Sequence, residues 1–145
     1  MATERRAEVT WNGSLMEGSG TITSTTTGAI GEQAVTWAAR STDATGGATS
    51  PEELIAAAHA ACFSMALSHG LAQQGHAPEE LRTSATVTFQ PGEGITKIAL
   101  TVEGRVPGAD DDAFLQAAEA AKKDCPVSKA LAGVPEIGLD AKLAG

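Results

Sequence analysis

The chain has 145 residues, enough for one domain with a real core, and a net charge of −8 at pH 7. A pI near 4.7 and the lack of any basic run remove the electrostatic footprint of a nucleic-acid binder. The N-terminus, MATERRAEVTWNG, has no apolar segment of the signal-peptide kind, so the expected compartment is the cytoplasm, where thiols stay reduced.

Ala7, Val9 and Trp11 alternate with polar residues, the period of a half-buried strand. Asn12-Gly13 is a strong hairpin signal, and residues 15–23 are expected to return as the second strand. A Thr/Gly-rich turn over 24–31 precedes a third alternating run, Val35, Trp37 and Ala39, which ends at Arg40. Residues 41–49 form a polar, glycine-containing loop. Ser50 then suits an N-cap, Pro51 the first helical position and Glu53 the far side of a capping box. Residues 54–67 are almost wholly apolar and rich in alanine, Gly75 suits a left-handed stop and Pro78 prevents continuation. The result is a helix about 36 Å long. Being apolar on all sides, it is expected to lie buried, and it reads as too short and too alanine-rich for a membrane span.

Ala85, Val87 and Phe89 alternate next, Pro91-Gly92-Glu93-Gly94 reverses the chain, and Ile98, Leu100, Val102 and Val106 keep the alternation on the returning strand. Asp110, Asp111 and Asp112 suit a helix start and Lys122 and Lys123 its end, each matching the macrodipole. Cys125-Pro126 interrupts this helix, a short one follows over 127–131, and Ile137, Leu139, Ala141 and Leu143 mark a last strand. The order indicates an α+β domain over 1–145 with antiparallel sheets.

The two cysteines, Cys62 and Cys125, read as free thiols or a redox pair in a reduced compartment. Cys125 precedes Pro126 and can cap the short helix, where free amides lower a thiol pKa; Cys62 sits mid-helix. Local physics therefore ranks Cys125 as the reactive thiol and Cys62 as packing. His59, Cys62 and His69 share a helix face, which suits a Cys–His pair or part of a zinc site, although packing or hydrogen bonding of the histidines is the simpler account. Arg40 reads as a solvated strand end, and Glu52 as a first-turn acid favoured by the dipole.

The run SPEELIAAAHAACFSMALSHG resembles the signature of the OsmC/Ohr family, the osmotically inducible and organic hydroperoxide resistance proteins. DCPVSKAL at 124–131 resembles its second cysteine motif, and VTWNG, ITKIAL and VPG extend the likeness over the chain, with His59 pointing to the OsmC branch. The resemblance implies two antiparallel three-stranded sheets around a long buried central helix, in an intertwined homodimer with active sites at the subunit interface. It also implies a thiol-dependent peroxidase acting on organic hydroperoxides, and less efficiently on hydrogen peroxide. Cys62 corresponds to the peroxidatic cysteine and Cys125 to the resolving one, which reverses the local ranking. Glu52 matches the family's glutamate. WNGSLMEGSG has no arginine where the Ohr branch carries one, and Arg40 matches the OsmC-branch position after the third strand. No metal or prosthetic group is implied, only an external dithiol or lipoylated-protein reductant, a small-molecule hydroperoxide and a second copy of the chain; neither nucleic acid nor membrane is a partner. Ten helical residues separate Glu52 from Cys62 by roughly 15 Å of rise, so each site is expected to draw on both chains. The competing readings are a non-catalytic stress-protective dimer, a Cys–His acyl-transfer enzyme and a zinc-binding module.

Overall fold

A computed structural model describes residues 1–144. Its contacts gather into two compact units, Met1–Leu54 and the remaining described residues from Ile55 onward.

In the first unit, β1 (Ala7–Asn12), β2 (Ser19–Thr25) and β3 (Gln33–Val35) form an antiparallel sheet in the order β1-β2-β3. The tight Asn12-Gly13 hairpin is replaced by a wider loop. A two-residue turn of that type needs positive φ at both central residues, and only Gly13 has it, at 92°. The Gly18 amide instead donates to the Ser14 carbonyl at 2.8 Å, and the returning strand starts at Ser19 rather than at 15. β1 is exposed along its whole length, with Val9 and Trp11 accessible at 58% and 38%. An alternating pattern buries a face only where a second layer covers it.

The third strand stops early. Thr36 takes extended backbone angles and its hydroxyl accepts from the Ala39 amide at 3.0 Å, starting a short helix α1 (Trp37–Ser41). Arg40 thus belongs to the last turn of a helix, not to the end of a strand. Thr49 rejoins the sheet, donating its amide to Ala34 at 2.8 Å. Helix α2 (Pro51–Gln73) then begins with Ser50 Oγ accepting from the Glu53 amide at 3.1 Å. Only half of the capping box forms, because the Glu53 carboxylate takes the Thr49 hydroxyl at 2.6 Å.

In the second unit, β4 (Glu80–Gln90) and β5 (Gly94–Arg105) form a long hairpin, starting five residues earlier than the alternation from Ala85 suggests. Helices α3 (Asp111–Asp124) and α4 (Pro126–Ala130) follow, and then β6 (Glu136–Leu143). β6 lies parallel to β5, so this sheet is mixed rather than antiparallel. The two helices form the crossover that a parallel neighbour requires. The core joins Phe63, Leu67 and Leu71 of α2 to Leu100 and Val102 of β5 and Phe114 of α3. Gly104 lets α3 approach: a Cβ there would lie 2.7 Å from the Phe114 ring and 3.1 Å from Leu81.

Helix α2 is not buried on all sides in the single chain. His59, Phe63, Leu67 and Leu71, each four residues apart, form the buried stripe, while Met65 is 73% accessible. At 23 residues and without a charged side chain after Glu53, α2 is also long and apolar enough to cross a membrane, contrary to the sequence expectation. Its stripe packs into the core of the second unit, as the helix of a folded domain does.

Candidate active site

The first unit contributes an ion pair. Arg40, at the end of α1, donates from Nε to both carboxylate oxygens of Glu52 at 3.1 Å, and Nη2 lies 3.0 Å from Oε2. Glu52 stands in the first turn of α2. The contact uses the planar fork of arginine against both oxygens, the geometry that makes such pairs directional. Glu52 has 7% of its side chain accessible and Arg40 34%. Burying a carboxylate costs hydration that a partner must compensate, and Arg40 is such a partner.

The second unit contributes the thiols. Pro126 cannot continue α3, and the residue before a proline is pushed out of the helical region. Cys125 accordingly adopts φ −54° and ψ 125°. Its amide closes α3 on the Ala121 carbonyl at 2.9 Å, and its carbonyl opens α4 by accepting from Lys129 at 3.0 Å. Cys125 occupies the N-cap position of α4, where its thiol makes no well-formed capping hydrogen bond although the first-turn amides act on it. It is fully buried. Cys62, in the middle of α2, is partly accessible, and both cysteines are free.

The two thiols lie close enough that each acts on the other's ionisation. Burial pushes the Cys62 thiol up, and so do the proton it holds toward Cys125 and the charge there; the Val127 amide offsets part of this. Burial also acts upward on Cys125, but the Cys62 thiol, the Ser128 amide and hydroxyl and the Val127 amide outweigh it, and its pKa falls below the usual value. The two thiols therefore titrate as a pair, Cys125 the more acidic and Cys62 the less. On acidity alone the geometry favours Cys125, as helix-end physics suggests; on access it favours Cys62.

His59 is fully buried, and its Nε2 lies 2.7 Å from Ser128 Oγ. Burial holds its pKa below the ordinary histidine value. His69 is exposed, seven residues and about 10 Å of helix rise beyond Cys62. The two histidines therefore do not act on the thiols as a set, and among the described residues no three His, Cys, Asp or Glu side chains are placed to hold a metal. Ser128 was not singled out by sequence; its one signal is its place three residues after Cys125, within the first turn of α4.

The family described as OsmC-like protein matches residues 44–140. Over 99% of both chains the protein is 42% identical to the peroxiredoxin OsmC of Escherichia coli strain K12. It is 32% identical to the organic hydroperoxide resistance protein OhrB of Bacillus subtilis strain 168, over 65% of this chain and 70% of that one. The crystal structure of an OsmC-like protein from Mycoplasma pneumoniae covers all of both chains with a TM-score of 0.74 at 17% identity, a likeness of fold. Two three-stranded sheets and a long helix carrying one of two free thiols, with these relatives, establish that the chain belongs to the OsmC family.

Proposed function

We propose that the chain is a cysteine-based peroxidase that reduces organic hydroperoxides, and hydrogen peroxide more slowly, with Cys62 as peroxidatic and Cys125 as resolving cysteine. The observation that carries this reading is the proximity of two free thiols, one partly accessible and one fully buried. The curated relatives named peroxiredoxin and organic hydroperoxide resistance protein support the same chemistry.

The Cys62 thiolate attacks the distal oxygen of ROOH, the O–O bond breaks, and the departing alkoxide takes up a proton as ROH. Cys62 becomes a sulfenic acid. The Cys125 thiolate then attacks its sulfur, the S–S bond forms, and hydroxide leaves to be protonated to water. An external dithiol, such as a lipoylated protein, restores the thiols by exchange.

Acidity does not decide which sulfur attacks. Lowering a thiol pKa from about 8.5 to about 5.5 gains roughly 30-fold in thiolate at pH 7 and loses about 15- to 30-fold in nucleophilicity per thiolate, if the slope for disulfide exchange applies. The terms nearly cancel, so access decides, and it favours Cys62. Loss of the Cys62 proton, to solvent or to Cys125, supplies the attacking thiolate. Arg40, held by Glu52, stabilises charge on the departing oxygen and orients the peroxide.

The chain works in the cytoplasm, as one domain within a homodimer whose partner covers the accessible face of α2. Each site draws on both copies, because ten residues of helix put Glu52 and Cys62 about 15 Å apart along one axis.

One equivalent of cumene hydroperoxide should produce a Cys62–Cys125 disulfide, located by peptide mapping, and Cys125→Ser should trap a sulfenic acid at Cys62. If Cys62→Ser kept single-turnover activity while Cys125→Ser lost it, the roles would be reversed. The lower pKa of Cys125 makes that the one alternative with an observation behind it. If neither variant altered peroxide consumption with dihydrolipoamide, the chain would be a binding dimer.

A further inference from the structure

Among the described residues, His59 is the one fully buried polar side chain that the proposed chemistry leaves unused. Its Nε2 faces Ser128 Oγ at 2.7 Å, while its Nδ1 is buried with no hydrogen-bond partner among the described residues. Which nitrogen carries the proton follows from that asymmetry. Buried N–H groups without an acceptor are rarer than unfilled acceptors. The proton therefore sits on Nε2 and is donated to Ser128, and Nδ1 keeps an idle lone pair.

Ser128 stands in the first turn of α4, three residues after Cys125 at the N-cap position, and is itself buried. An N-cap residue and the third residue of its helix lie on the same side of the first turn, where a capping side chain meets the third residue's amide. With one oxygen lone pair engaged by His59, the Ser128 hydroxyl still has its proton to give, and the Cys125 side chain stands at the same first turn.

We propose that His59 is a positioning residue for the thiol pair: its Nε2–H fixes the Ser128 hydroxyl so that the hydroxyl proton is donated to the sulfur of Cys125. This rests on the reading that Cys125 resolves a sulfenic acid at Cys62. His59 touches neither peroxide nor sulfur in this role. It acts on the second step, in which the Cys125 sulfur must be a thiolate to form the S–S bond and expel hydroxide. The downward shift of the Cys125 thiol, to which the Ser128 hydroxyl contributes, is in keeping with the arrangement. The titratable groups concerned are Cys62 and His59 of α2; Asp124 and Lys129, flanking Cys125 on its own helices, are exposed.

The test begins without peroxide. In a Cys62→Ser background the absorbance of the remaining thiolate at 240 nm, followed against pH, gives the ionisation of Cys125 directly. Ser128→Ala and His59→Leu should each raise that midpoint by about one pH unit. His59→Gln, whose amide N–H occupies the place of Nε2–H, should restore most of the shift. With both cysteines present, stopped flow should then show disulfide closure slowed about threefold in Ser128→Ala and His59→Leu: tenfold less thiolate, about threefold more reactive. Formation of the sulfenic acid should not slow in step. An unmoved midpoint in both Ser128→Ala and His59→Leu would overturn the proposal. So would a His59→Gln protein as shifted as His59→Leu, since donation from Nε2 would then not be what His59 supplies. Absence of a sulfenic acid at Cys62 would instead overturn its assignment as the peroxidatic cysteine, and the titration distinguishes the two failures.

Discussion

Arg40→Met and Glu52→Gln separate what their ion pair does for folding from what it does for chemistry. The guanidinium meets the carboxylate through three N···O contacts of 3.0–3.1 Å, with Glu52 buried and Arg40 about one-third accessible. The two substitutions are therefore unequal. Arg40→Met leaves a buried carboxylate without its partner, a loss of about 1–3 kcal/mol, toward the low end because water reaches the guanidinium side. Glu52→Gln keeps the shape and one acceptor and releases an arginine that water can solvate, so about 1 kcal/mol or less is expected. At this chain length 1 kcal/mol corresponds to roughly 3–4 °C in Tm. The double variant removes the stranded charge and should recover most of the stability that Arg40→Met loses. Urea unfolding followed by circular dichroism measures this arm, and stopped-flow oxidation of Cys62 by excess cumene hydroperoxide measures the other. Both single variants should slow that oxidation at least tenfold, about 1.4 kcal/mol of barrier. The double variant should stay slow although its stability returns. If rate and stability recover together, the pair is scaffold only, and the role given to Arg40 on the departing oxygen is refuted.

His59 is depressed by burial, so the unfolded chain binds a proton that the folded one refuses. Stability should be fully present above about pH 6.5 and fall as pH drops toward the folded pKa, by at most about 1.4 kcal/mol per pH unit; His59→Gln should flatten that slope in urea titrations. Gly104→Ala should destabilise by about 1–3 kcal/mol, because its Cβ would meet the Phe114 ring at 2.7 Å; an unchanged urea midpoint would mean that α3 shifts freely. Mixing Glu52→Ala with Cys62→Ser chains should give heterodimers with about half the wild-type activity, since one shared site then collects both defects. Heterodimers as inactive as their parents would assign Glu52 to its own chain.

The start of α2 was legible because Ser50, Pro51 and Glu53 are chemically specific to a helix entry, and the break at Cys125 because Pro126 permits nothing else. The pairing of Arg40 with Glu52 and of Cys62 with Cys125 came from motif likeness, since their side chains are twelve and 63 positions apart in the chain. What stayed hidden depends on tertiary choice. The run from Val35 to Arg40 alternates like a strand, but Thr36 supplied a cap and two alanines favour helix. The direction of β6 is invisible in its own residues; it is set by the α3–α4 crossover. Ser128 gained its meaning from His59, which lies 69 positions away.

The placement of the two thiols also bears on chain entropy. A bond between Cys62 and Cys125 would close a loop of about 64 residues holding β4, β5 and α3, while β6 and all of Met1–Leu54 stay outside it. Tying the unfolded chain at those points removes about 4 kcal/mol of its freedom in the loop-entropy account. The oxidised protein should thus melt at a higher temperature than the reduced one, and equal Tm values would show that strain in the folded state cancels the gain. By thermodynamic linkage, whatever the bond adds to stability its reductant must overcome. Four kcal/mol corresponds to roughly 85 mV for a two-electron couple, so the proposed cycle would call for a strongly reducing dithiol.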